Sequence, residues 1–189
     1  MSILNSLLLK TSSLKNVSVL FISSHLVLLL MMLFTFPVIN TQIGTKAFDL
    51  QTFGYSFTVA ESILNNLDDP TTALYLFPQL TVLDLFYPFL LALFLSSFLF
   101  RLLEILEVKN KITSVLLFAP FLAMLFDYSE NICIILLITK SIKVSESIVL
   151  LSSTFTVLKG ILTSIAWLAI LVFSMNWLKQ KFVKPHRLG

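Results

Sequence analysis

Four long apolar runs, at about 17–39, 77–100, 112–138 and 147–178, alternate with shorter polar stretches. At 1.5 Å per residue each exceeds a hydrocarbon core of about 30 Å. The pattern predicts an all-α polytopic membrane protein, one domain over 1–189 built as a four-transmembrane-helix bundle. The first run follows Lys10 and Lys15 without a small-residue cleavage site, so it reads as an uncleaved signal anchor that Pro37 helps to end or kink. The fourth run gives roughly 48 Å of helix and must tilt or protrude.

Between the first two runs, segment 40–76 is predicted as an outer loop carrying Asp49, Glu61, Asp68 and Asp69. Phe53-Gly54-Tyr55-Ser56 reads as a turn, and Thr58 with Glu61 has capping-box spacing. Phe57, Ala60, Leu64 and Leu67 recur at helical intervals, which predicts a short amphipathic segment folded over the bundle as a lid. Asp69-Pro70 fits another helix start, with Asp as N-cap and Pro at the first position.

Polar residues inside the runs carry the candidate chemistry. The third run is interrupted by Phe126-Asp127-Tyr128-Ser129-Glu130-Asn131, and spacing places Asp127, Glu130 and Asn131 on one face. An intramembrane acid costs about 2.5 to 3.5 kcal/mol on insertion scales, so that face turns inward. Ala119 and Ala123 precede it on the same face and admit a close neighbour. Ser152, Thr156, Lys159 and Thr163 form a polar stripe on the fourth run, with Lys159 the counter-charge for the acids. In the second run Asp84 and Tyr87 share a face, and Pro88 frees a carbonyl one turn earlier, near Asp84. Counted from the outer ends of the runs, Asp84, Glu130, Asp127 and Lys159 lie at depths of roughly 10 to 18 Å and are expected to meet. Three acids against one lysine leave two negative charges in excess if all ionise, so at least one acid is expected to be protonated, hydrated or bound to a cation. Asp127 and Glu130 are close enough to share a proton. The plain structural role for such a network is to fix helix register.

Composition agrees with the pattern: 57% of residues are hydrophobic, 12% are charged and mean hydropathy is +0.95, far from the roughly 25% charged residues of soluble domains. The net charge of +3 does not point to nucleic acid, because the basic residues sit at the ends of apolar runs. Nine (Lys10, Lys15, Arg101, Lys109, Lys111, Lys179, Lys181, Lys184, Arg187) fall on one side and three (Lys46, Lys140, Lys143) on the other. The positive-inside rule then places both termini in the cytoplasm, with the inner (plasma) membrane of a bacterium as the expected location. Trp177 fits an interfacial belt position. Arg101 and Glu104 have the spacing of a surface pair. The single Cys133 excludes an internal disulfide and reads as a packed thiol. His25 reads as a neutral, hydrogen-bonded bundle residue and His186 as part of a basic tail. Neither has metal-site spacing, so no metal and no cofactor are expected.

The ordered motifs GYS at 54–56, LD at 83–84, YP at 87–88 and FDYSEN at 126–131 resemble uncharacterised small four-helix membrane proteins of bacteria. The likeness spans roughly residues 50–165. It implies a lid-like first loop and a common polar centre, and it brings no activity with it. Sterol-isomerase-like four-helix proteins also bury acids, but their Trp-rich spans are missing here, where both Trp167 and Trp177 fall in the last run. The leading expectation is a binding or accessory protein whose polar cluster (Asp84, Tyr87, Asp127, Glu130, Asn131, Lys159) opens toward the outer leaflet. It would hold membrane lipid or another amphiphilic ligand, a cation or a membrane-protein partner. Two alternatives stay open. One is an intramembrane enzyme using Asp127 or Glu130 in acid/base chemistry on a lipid-soluble substrate, and the other is a small proton- or cation-coupled transporter.

Overall fold

The computed structural model describes residues 3–183, so the tail residues Lys184, His186 and Arg187 of the sequence reading lie outside the described residues. Every regular element among the described residues is a helix. We number them α1 (Ile3–Thr11), α2 (Leu14–Ile43), α3 (Phe57–Asn66), α4 (Asp69–Ile105), α5 (Lys111–Ile138) and α6 (Glu146–Val183). Helices α2, α4, α5 and α6 are each long and apolar enough to cross a membrane. At 38 residues, α6 is about 57 Å long.

Helix ends follow local chemistry. Ser13 caps α2 by accepting from the Asn16 N–H, and Asn110 with Thr113 closes a reciprocal capping box on α5. Two boundaries differ from the sequence reading. Ser56, not Thr58, caps α3, accepting from the Val59 N–H at 3.3 Å. Asp68, not Asp69, caps α4, accepting from the Thr71 N–H at 2.9 Å, and hydrogen bonding to Thr71, first through its side chain and then through that N–H, holds the exposed Asp68 carboxyl below its usual range. A short helix thus starts at Asp69, but the backbone leaves helical geometry at Phe77 (φ −142°, ψ 123°), so the long apolar helix itself begins near 77. Pro37 does not end α2, because a wider π-type turn at Met31–Thr35 precedes it and the helix runs on to Gly44 in the left-handed conformation. A second π-type stretch, Tyr75–Leu83, lies opposite in α4. Thr35 joins the two by donating to the Gln79 side-chain oxygen.

Packing is asymmetric. α4, α5 and α6 pack on one another, whereas α2 packs along α4 and makes no extended contact with α5 or α6. α1, unforeseen from sequence, lies against α4 with Leu8 fully buried and a 2.6 Å contact between the Thr11 and Ser97 hydroxyls. Arg101 donates to the Ser12 carbonyl at 3.2 Å rather than pairing with Glu104, which meets Lys109 at 3.5 Å. The bundle exterior is apolar: Phe34, Val115, Leu150 and Leu171 are all exposed, while Ser96, Glu130 and Ser152 are completely buried.

The connection before α3 is seated in the core through Phe48 and Tyr55. Gly54 makes this seating fit, since it has φ +85° and a Cβ there would lie 2.6 Å from Ser153 Oγ. Gly44, at φ +69°, has nothing within 4 Å of the same position. Gly44→Ala is therefore expected to cost about 1 kcal/mol in backbone strain alone, and Gly54→Ala about 2 to 4 kcal/mol because overpacking adds to it. Thermal unfolding in detergent compares them, and equal losses would mean that the loop does not rest on α6.

Candidate functional site

Steps of four and three along α6 return Ser152, Thr156 and Lys159 to one side, facing α5. Lys159 Nζ lies 2.5 Å from Asp127 Oδ1 and 2.7 Å from Glu130 Oε2. The Thr156 hydroxyl donates to Glu130 Oε1 at 2.6 Å. Glu130 is fully enclosed, while the Asp127 and Lys159 side chains keep 12% and 17% of their exposure. Glu130 Oε2 is not aligned for a hydrogen bond, yet at 2.7 Å Lys159 compensates its charge. One lysine thus bridges two acids one helical turn apart.

The loop extends this network outward. The Tyr55 hydroxyl donates to Ser152 Oγ at 2.7 Å and its backbone N–H donates to Ser153 Oγ at 2.8 Å. Burial pushes the Tyr55 phenol above its ordinary range, so it remains a donor. On the other side Tyr75 donates to Asp49 Oδ2 at 2.5 Å and accepts the Phe48 N–H at 3.0 Å. Asp49 lies on the same cavity wall as Asp84. The Asp84 carbonyl, freed by Pro88 one turn later, receives Asn131 Nδ2 at 3.5 Å, a weak bond at that length.

These groups surround one end of a cavity of about 580 Å³. Asp49, Asp84, Tyr87, Asp127 and Lys159 line its polar end, and Met31, Leu91, Leu95, Ala123 and Leu168 are among its apolar walls. Its flank follows the gap between α2 and α6. An aromatic cluster closes that gap at one level, where the His25 and Trp167 rings lie 6.3 Å apart with Phe94 against both. His25 Nδ1 contacts the Phe21 carbonyl oxygen at 2.9 Å. The loop residues Thr52 and Phe53, the latter 96% exposed, also line the cavity.

Of the residues singled out in sequence, Asp127, Glu130 and Lys159 make direct contact, and Asp84 and Tyr87 share the cavity wall with Asp127 and Lys159. Asn131 lies behind that wall, on the Asp84 carbonyl. Thr163 lines the cavity below Lys159. Cys133 is a free thiol away from the cavity. Sequence reasoning missed Asp49, Tyr55 and Tyr75, which sit in or beside the loop where no periodicity marks an inward face. Among the described residues no group of three metal-ligating side chains is placed to hold a metal ion. Compared with protein-family models, curated proteins and solved structures, the chain matches none of them.

Stranding a buried charge costs about 3 to 5 kcal/mol, whereas removing a whole pair approaches neutrality. Lys159→Met is therefore expected to destabilise the bundle, and adding either Asp127→Asn or Glu130→Gln is expected to recover part of the loss. Thermal unfolding of the singles and both doubles yields the two coupling energies. Additive losses in both cycles would contradict the bridging lysine.

Proposed function

We propose that this is an integral membrane protein, with both termini in the cytoplasm of a bacterial cell, that binds an amphiphile entering from the outer leaflet through its flank. The carrying observation is the cavity itself, which has mostly apolar walls and the buried charged residues Asp84, Asp127 and Lys159 in its lining. A helix face exposed to lipid gains nothing from a polar interior, so a buried charged end beside an apolar chamber matches a ligand with the same division. The exposed apolar belt on all four long helices supports insertion, and the basic residues at 101–111 and beyond 178 support the orientation.

A second reading is an acid/base enzyme on a lipid-soluble substrate. It is favoured by the position of Asp127, whose carboxylate lines the cavity while Glu130 is enclosed behind it.

Orientation is checked by labelling in whole cells. Lys109→Cys should react only from the cytoplasmic side and Ser145→Cys only from outside, and the opposite result would invert the topology. Ligand binding is checked by plugging the chamber. Gly160 lines the cavity, and a Cβ there meets only the Thr52 carbonyl at 3.8 Å. Gly160→Leu should raise helix stability by about 1 kcal/mol and yet abolish co-purified amphiphile in native mass spectrometry. Equal occupancy in wild type and Gly160→Leu would remove the binding reading. A product present in wild-type lipid extracts but missing with Asp127→Asn would favour the enzyme.

A further inference from the structure

We propose that Asp49 and Asp84 form the head-group site for a net-cationic long-chain amine, with its ammonium against the two carboxyls and its chain in the apolar chamber. The inference rests on reading the cavity as an amphiphile site and goes further by naming the head group. Asp84 is 3% exposed and lines the cavity, and its Oδ2 is buried without a hydrogen-bond partner, as is Oδ1 of Asp49. A buried acceptor left unpaired is costly, so the pair lacks donors in this state. No described cation lies within ion-pair distance of either residue, and Lys159 is committed to Asp127 and Glu130.

Charge and donor count narrow the ligand. Neither carboxyl has a described cation paired with it, and an ammonium would supply that charge. An ammonium also supplies three donors, enough for both unfilled oxygens. An alcohol supplies one donor and leaves the charge standing. A bare metal ion lacks ligands here, because no group of three suitable side chains exists among the described residues. A zwitterionic phospholipid would bring a phosphate beside Asp49, Asp84 and Asp127 with no spare cation to receive it. A positively charged single-chain amine avoids that repulsion, and its chain follows the cavity toward Leu168.

The test uses the full chain in phosphatidylcholine nanodiscs at pH 7, where an alkylamine is protonated. Radiolabelled dodecylamine is bound, corrected for empty discs, and displaced by unlabelled dodecylamine or dodecanol. The amine is expected to bind about tenfold more tightly than the alcohol, the worth of one charge-assisted hydrogen bond. Asp84→Asn and Asp49→Asn should each erase that preference while dodecanol still binds. Introducing phosphatidylethanolamine into the discs should displace nothing. Equal affinity for amine and alcohol in wild type overturns the proposal without any variant, and so does a preference that survives both substitutions. Displacement by phosphatidylethanolamine overturns the net-cationic ligand. Binding of neither probe would instead defeat the amphiphile reading beneath it.

Discussion

The bundle depends on one lysine placed where water is scarce. Lys159 joins α6 to α5 through Asp127 and Glu130, and in a low-dielectric interior none of the three charges is tolerable alone. That contact fixes the register of the two helices, because sliding either by one residue would carry the charges to a different face. Thr156 and Ser152 lie along the same stripe, so the register that pairs Lys159 also presents a donor to Glu130 and an acceptor to Tyr55. The loop is thereby aligned on the helix pair, and Gly54 permits the approach because any side chain would strike Ser153.

A further consequence is a division of the polar interior into two parts. Lys159, Asp127, Glu130 and Thr156 compensate one another, and most of their oxygens are engaged. Asp49 accepts from Tyr75 and lines the same wall as Asp84, and each acid keeps a buried oxygen without a donor. The first part resembles structural cross-linking and the second an unfinished interaction. Their shared cavity means that whatever fills the second part touches the wall formed by the first.

The four long helices were legible because their apolar runs are uninterrupted and the bilayer constrains length directly. Asp127, Glu130 and Lys159 were legible because helical spacing selects a face and burial demands a partner. The short helix ahead of the second run was not, since Asp68 caps it at Asp69 and it meets the run at the non-helical Phe77, whereas hydropathy alone sees only the run. Asp49 was invisible as a site residue for a different reason. It occupies a short 3-10 turn in a loop, where the direction of a side chain is set by tertiary contacts with Tyr75 and not by period. Asn131 shows the converse limit: spacing placed it with the acids, but its amide reaches only the backbone of α4.

The unequal packing of α2 has a mechanical meaning. α4, α5 and α6 form a braced frame, while α2 leans on that frame along one side and touches α6 where the His25 and Trp167 rings meet. Elements with few buried contacts open at lower free energy than the rest of a fold. A π-type turn at Met31–Thr35 sits in α2 beside the cavity, where Met31 and Met32 form part of the wall. α2 is thus the leaf of the bundle held least by the ion-paired frame, hung on α4 and bordering the chamber through Met31 and Met32.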